Sequence, residues 1–357
     1  MKNIVIITDV DFYNEGAGHR MRIRDMISYL APKCKLHIIY LGLVNMQVND
    51  FCKSFNTQLF ALDLNSQLDE PEYVNLVKKV FSINTFHSSI FQFIHLSYLL
   101  KWIPLNTVKI LDAHDIIHER VRSFNNFNAA NWGYILDQNI EIQIFECYDY
   151  VLFICETDHL NMVGHLSSGK SLYVPLSAKP IPTAINDNVT SIGFLGSEYT
   201  PNVDGLNYFI DSVWQYFPHK ESVQFNVFGN VSTRLDHKKN LEGVKLNGYV
   251  NNLEEMYESI DIIINPVRFG SGLKIKSIEA LSYGKPLITT PHGARGLNLE
   301  SHPAFIIANN PEDFLLHISQ LSQNKHMRQR LQYNALSFVR RKFSASEAYA
   351  PLSKVLL

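Results

Sequence analysis

The chain has 357 residues, with 32 Lys plus Arg against 34 Asp plus Glu, and this near balance argues against nucleic-acid binding by bulk charge. Hydrophobic residues make up 46% and charged residues 18%, which excludes a disordered chain and leaves material for large cores. The length favours two domains, and four scattered cysteines without a C-x-x-C pair (Cys34, Cys52, Cys147 and Cys155) point to a reducing compartment.

Residues 4–7 are a continuous β-branched run, the pattern of a strand buried on both faces. The run is too short for a signal peptide and meets Asp9 and Asp11 at once. A glycine-bearing loop over residues 14–18 follows, then a helix with Ile23, Met26, Ile27 and Leu30 on one face. Further strands are expected at 36–41, 108–111, 150–154 and 171–174. Residues 85–103 are rich in Phe, Ile, Leu, Tyr and Trp, and two readings stand: a core helix with its flanks, or a peripheral membrane contact.

The pattern breaks over residues 177–188, where Ser, Ala, Lys, Pro, Asn and Asp replace any apolar period. Strand–helix alternation then restarts. Strands are expected at 191–195, 223–228, 243–246, 262–264, 286–289 and 304–307, with helices at 203–216, 253–260, 273–283 and 311–324. The tail, 326–357, reads as helical and carries Arg340, Arg341 and Lys342. The fold class is α/β: a first domain over 1–180, a linker at 181–188, a second domain over 189–335, and a final helix, 336–357, packing back on the first domain. Two doubly wound domains would face a central cleft, with ligands beyond the carboxyl ends of the strands.

The densest chemistry lies in residues 265–290. A buried strand ends at Ile264, and Gly270 and Gly272 allow close approach of backbone to ligand. A helix begins near Leu273, and its first N–H groups lack internal partners, which suits an anion. Arg268, Lys274 and Lys276 add positive charge there. Glu279, about two turns into the helix, can accept both hydroxyls of a ribose.

Pro266, Gly270-Ser271-Gly272, Lys274, Lys276, Glu279-Ala280, Gly284-Lys285-Pro286 and Thr289-Thr290 resemble the signature of family-four (group 1) glycosyltransferases of the GT-B fold. The similarity extends to Gly293-Ala294-Arg295-Gly296, to Gly248-Tyr249-Val250 with Leu253 and Tyr257, and to Phe194-Leu195-Gly196-Ser197 with Pro201-Asn202. It covers nearly all of residues 190–300, in order. The resemblance implies donor diphosphate and sugar contacts from Gly18, Arg268, Gly270, Ser271, Gly272, Leu273, Lys274 and Lys276. It implies nucleoside contacts from Gly196, Gly229, Tyr249, Val250 and Glu279, with Lys274 and Glu279 also catalytic. One departure is clear. Relatives often carry a further Glu that touches the donor sugar at the position held here by Ser271, so the identity of the sugar stays open.

In the first domain, Asp112-Ala113-His114-Asp115 ends a strand, and relatives have a similar turn whose His contacts the donor sugar. That role is carried to His114 as a catalytic residue, with His118 second. A capping or carbonyl-bonded His is an equal reading of either residue. Gly16, Arg20, Asp115 and His118 are assigned to the acceptor side, although a solvated face fits Arg20 and Arg24 as well. The i,i+4 spacing of His114 and His118 lacks a third ligand for zinc, and Asp9-Val10-Asp11 falls in the wrong place for a metal-binding Asp-x-Asp. Gly16-Ala17-Gly18 lacks the third glycine of a dinucleotide fingerprint, because Met21 stands there.

The resemblance implies a glycosyltransferase that moves a sugar from a nucleotide-sugar to a glycan or lipid-linked acceptor. Retention and a role in envelope polysaccharide or lipopolysaccharide assembly are implied with it. No cofactor and no essential metal are expected. A cytoplasmic location is expected, with peripheral contact at the inner membrane and no nucleic-acid partner. A GT-B epimerase and a catalytically silent nucleotide-binding scaffold are the alternatives.

Overall fold

A computed structural model describes residues 1–14, 16–131, 133–235, 241–297 and 301–357. Seven strands come first: β1 (Asn3–Thr8), β2 (Lys35–Leu43), β3 (Gln58–Leu62), β4 (Ser88–Gln92), β5 (Val108–Asp112), β6 (Tyr150–Phe153) and β7 (Ser171–Tyr173). Six more follow: β8 (Ser191–Leu195), β9 (Gln224–Phe228), β10 (Val244–Gly248), β11 (Ile262–Asn265), β12 (Leu287–Thr289) and β13 (Ile306–Ile307). The first seven form one sheet in the order β3-β2-β1-β4-β5-β6-β7, and the last six form a second in the order β10-β9-β8-β11-β12-β13. Every pairing is parallel, with helices in the connections, so both sheets are doubly wound.

The chain divides into two units. The first is Met1–Val121, Trp132–Ser177 and Ala348–Leu357, and the second is Arg122–Asn131 and Ala178–Glu347. The stretch expected to be a linker runs bonded along the second unit. Ile181 N–H donates to Ser282 O at 2.7 Å, Thr183 Oγ1 to Tyr283 O at 3.0 Å, and Asn186 Nδ2 to Asp261 Oδ1 at 2.7 Å. Hydrogen bonds rather than apolar burial hold it, so its composition reads as a linker. The tail is three helices, Lys325–Lys342, Ala345–Ala348 and Ala350–Leu356, and only residues from Ala348 onward join the first unit.

Alternation along each strand builds the core of the first unit. Ile4 and Ile6 enter one apolar cluster with Ile23, Met26, Ile27, Leu30, Leu352 and Leu356, while Val5 and Ile7 enter another with Phe91, Leu111 and Phe153. The reading of residues 85–103 as a core helix is corrected: they hold β4 and a 3-10 stretch, Ile94–Trp102. β4 pairs with β1 and β5 and is buried throughout, so its sequence shows no alternation to tell it from a buried helix. β3 also lay outside the expected strands.

Inside this unit the charges are few and tightly held. Arg22 and Asp112 form an ion pair at 3.0 Å with both side chains essentially fully buried. Arg22 also donates to Pro175 O at 2.7 Å, and Tyr349 lies beside it and donates to Asp25 at 2.7 Å. Burial works against the Arg22 charge, but Asp112 outweighs it and keeps the guanidinium protonated. Replacing Arg22 by Ala leaves a buried, unpaired carboxylate, which is expected to cost about 3–5 kcal/mol. A fall in the urea midpoint of that variant tests this; an unchanged midpoint would mean that the pair carries no stability.

Candidate functional site

Each sheet has one point where its strand order reverses. In the first sheet it lies between β1 and β4, and in the second between β8 and β11. Loops leaving such strands diverge to opposite faces and open a crevice beyond the carboxyl ends.

In the second unit, Gly196 leaves β8 and residues 266–272 leave β11. Gly196 N–H donates to Phe228 O at 3.0 Å, Gly229 N–H to Gly248 O at 2.6 Å, and Val231 N–H to Gly196 O at 3.1 Å. Gly229 has φ +85°, and a Cβ there would press into the Gly196 carbonyl oxygen, so backbone approaches backbone here only because Gly229 lacks a side chain. Tyr249, just past Gly248, is 61% exposed and presents its ring to solvent; Val250 beside it is half-buried.

The loop after β11 is fastened from beneath. Asn265 Nδ2 donates to Ser277 Oγ at 2.8 Å, Ser277 Oγ to Gly293 O at 2.9 Å, and Gly293 N–H to Thr290 Oγ1 at 2.9 Å. Gly270 has φ +119° and Gly272 φ +64°. The helix begins at Ile275, two residues later than expected, with Lys274 as its N-cap residue. Lys274 Nζ donates to Ser271 O at 2.8 Å and Gly272 O at 3.1 Å, so the ammonium closes the glycine loop upon itself. Leu273 is buried beneath it. Gly270 N–H donates to Ser123 Oγ at 2.9 Å.

Arg268 grips Asp204 through two bonds, at 2.6 and 2.9 Å, and lies over the rings of Tyr208 and Phe127. A carboxylate held bidentately in this way offsets the guanidinium charge.

Lys276 donates to Asn202 Oδ1 at 2.5 Å and sits over the Phe194 ring. Burial lowers its pKa to about 7, with Glu279 resisting and Lys274 adding to the fall. Burial raises Glu279 to about 7, with Lys276 pulling it back. Burial thus works against both charges of this i,i+3 pair, and each partner partly offsets the other's shift.

His292 was missed by sequence reasoning, although it stands directly before the quoted Gly293 loop. Its Nε2 is buried with no hydrogen-bond partner among the described residues. Nε2 lies 3.8 Å, and Lys274 Nζ 3.9 Å, from the point a Gly270 Cβ would fill. Burial, then Lys274 and Arg295, drive the ring's pKa down to about 3, so it is neutral.

In the first unit, Gly16 has φ +92° and Gly18 opens the helix Gly18–Leu30, whose N-cap, Ala17, makes no side-chain cap bond. Glu15, in the same loop, lies outside the described residues. Arg20 is bound to Asp11 by two bonds, at 2.7 and 2.5 Å, and Arg24 donates to Tyr13 O at 3.1 Å.

His114 lies just beyond β5 with φ +63°, and its ring stacks on Phe93 at 3.8 Å between centroids. Phe93, just beyond β4, has φ +73° itself. Two neighbouring non-glycine residues in this region store backbone strain, which the stack and the buried surroundings hold in place. His114 Nε2 bonds Gln92 Oε1 at 2.8 Å, and His19 and His95 also flank Phe93. His118 Nδ1 is fastened to buried Glu141 at 2.7 Å, and Glu141 also accepts the N–H groups of Ile117 and His118 at the start of their helix. Glu141, rather than His118, caps that helix. Asp115 is paired with Arg120 at 2.7 Å. No group of three or more His, Cys, Asp or Glu among the described residues could hold a metal ion.

Burial lowers the pKa of His114 to about 4, with Asp112 opposing and Arg22 adding to the fall. A depressed folded pKa means that the unfolded chain takes the proton first. Stability tied to the neutral ring is therefore present above about 6.5 and lost as pH falls toward 4. His114→Gln is expected to lose less stability than the parent between pH 7 and pH 4.5. Urea unfolding at the two pH values measures it, and equal losses would contradict the assignment.

Residues 189–324 match the family model of glycosyl transferases, group 1. An "Uncharacterized 44.6 kDa protein in cps region" from Klebsiella pneumoniae is 23% identical over 172 residues, 45% of this chain and 44% of that protein, so the match spans under half of its length. Three solved structures are similar over nearly the whole chain. Sucrose-phosphate synthase from Thermosynechococcus elongatus has a TM-score of 0.76 at 12% identity, covering 99% of this chain and 98% of its own. TarM of S. aureus, in complex with fondaparinux, alpha-GlcNAc-glycerol and UDP, has 0.73 at 12%, covering 100% of both. HepE of Anabaena, in complex with UDP and glucose, has 0.71 at 12%, covering 100% and 99%.

Proposed function

We propose that this chain is a nucleotide-sugar-dependent glycosyltransferase of group 1 that moves a sugar with retention to a hydroxyl of a glycan or lipid-linked acceptor; the match of residues 189–324 to the group 1 family model and the GT-B-like fold support this. The observation that carries the donor half is the arrangement after β11. A glycine loop closed by Lys274 leads into the helix that bears Lys276 and Glu279, at the strand reversal of the second sheet.

The diphosphate is taken at this loop, by Lys274 and the N–H groups around Ser271 and Gly272. Arriving negative charge favours protonated Lys276, whose own burial disfavours it. Ribose hydroxyls donate to Glu279 and supply the solvation its carboxylate lacks. The exposed Tyr249 ring offers the base a stacking face, beside Gly196 and Gly229, where backbone is bare. Charge grows on the diphosphate as the bond to the anomeric carbon breaks, and fixed cations there lower the barrier. The acceptor oxygen bonds the anomeric carbon on the face the diphosphate leaves, and its proton passes to the departing phosphate oxygen. Neutral His114, held by Gln92 and Phe93, contacts the donor sugar.

Similarity to a protein in a cps region supports envelope polysaccharide synthesis as the setting. Solved relatives in complex with UDP and with sugars support a nucleotide-sugar donor and a glycan acceptor. No helix among the described residues is long and apolar enough to cross a membrane. Exposed Arg340, Arg341 and Lys342 fit a peripheral contact with anionic lipid from the cytoplasmic side.

Lys274→Ala and Glu279→Ala are each expected to lower transfer by about 100-fold or more, the scale for loss of a preorganised electrostatic contact. Melting temperatures should stay near the parent's. Release of UDP, GDP or ADP from a panel of nucleotide-sugars, with and without glycoside acceptors, measures this. Parent-like turnover in both variants would refute the site.

A further inference from the structure

Asp9 follows β1 and His95 follows β4, the two strands between which the first sheet reverses. Their side chains meet there: His95 Nε2 lies 2.7 Å from Asp9 Oδ2. A carboxylate has no hydrogen to give, so Nε2 carries the proton and donates. In that tautomer of the uncharged ring, Nδ1 is a lone pair. Among the described residues Nδ1 takes no hydrogen bond, and the side chain is 38% exposed.

The pair is held in place from several sides. The other oxygen of Asp9, Oδ1, is buried with no hydrogen-bond partner among the described residues, so the carboxylate answers to His95. Phe93 lies 5.8 Å from the His95 ring and is pinned on its other side by the His114 stack. Arg20, on the helix that follows β1, is bound to Asp11. No third ligand completes a metal site among the described residues. What remains is a partly exposed imidazole nitrogen beyond the carboxyl ends of β1 and β4, unused by the donor chemistry above.

We propose that the Asp9–His95 pair reads the acceptor: His95 Nδ1 accepts a hydrogen bond from one hydroxyl of a polyhydroxylated sugar, and Asp9 sets the tautomer. His95 is a positioning residue, and Asp9 acts through it. The word acceptor rests on the transferase reading, whereas recognition of a sugar hydroxyl rests on the pair alone. A lone pair that reads a hydroxyl rejects a sugar that is deoxygenated or O-methylated there, because the nitrogen is left unpaired.

The test uses the full chain labelled with 15N-histidine, titrated with methyl glucoside, galactoside, mannoside and N-acetylglucosaminide. At least one glycoside is expected to move the His95 Nδ1 resonance saturably, and one of its deoxy forms to fail. His95→Gln is expected to bind that glycoside at least about tenfold more weakly, the scale of one lost hydrogen bond. Asp9→Asn, which frees the tautomer, should weaken it as well, while the rise in melting temperature caused by nucleotide stays parent-like in both. If no glycoside moves His95, or if both variants bind as the parent does, the proposal is overturned. Glycoside binding through His95 without any thermal response to UDP, GDP or ADP would sink the transferase reading and leave the pair standing.

Discussion

The buried Arg22–Asp112 pair is the constraint on which the first unit depends. Two charges have been taken out of water at the centre of a sheet, and only their contact makes that tolerable. Asp112 is the last residue of β5, and Arg22 sits early on the helix that follows β1. The pair therefore ties the helix after β1 to the end of β5, and Tyr349 brings in the final helix of the chain. His114 leaves β5 just beyond Asp112 and receives opposing fields from the two charges. Burial decides the outcome, and the ring is kept neutral, able to give and take hydrogen bonds without carrying charge.

Both units place their chemistry at the same topological position. The cause is chain geometry rather than shared sequence: where strand order reverses, consecutive loops part and leave backbone exposed. The two positions are then furnished differently. The second unit lines its crevice with glycines and lysines and suits an anion that must approach backbone closely. The first lines its crevice with three histidines around a strained Phe93, and suits neutral hydroxyl groups.

Most cations near these crevices are already engaged. Arg20 is bound to Asp11, Arg120 to Asp115 and Arg268 to Asp204, while Lys274 holds the carbonyls of Ser271 and Gly272 and Lys276 holds Asn202. The two residue types differ in what burial does to them: a buried lysine shifts toward neutrality, whereas arginine stays charged and keeps its carboxylate partner.

The sequence by itself determined the α/β class, most of the strands and the loop after β11, because buried parallel strands are apolar runs and glycine-rich turns are punctuated by composition. Ile23, Met26, Ile27 and Leu30 read as one helix face and are buried as one. β4 escaped, because a strand buried on both faces has no period to distinguish it from a core helix. Only the tertiary structure decided which charged residues are spent on each other. Asp204 lies 64 residues from Arg268, Asp9 lies 86 from His95, and Glu141 lies 23 from His118. No local pattern marks such pairs, since the contact exists only once the sheet has set strand order, and strand order is fixed by packing across the whole chain.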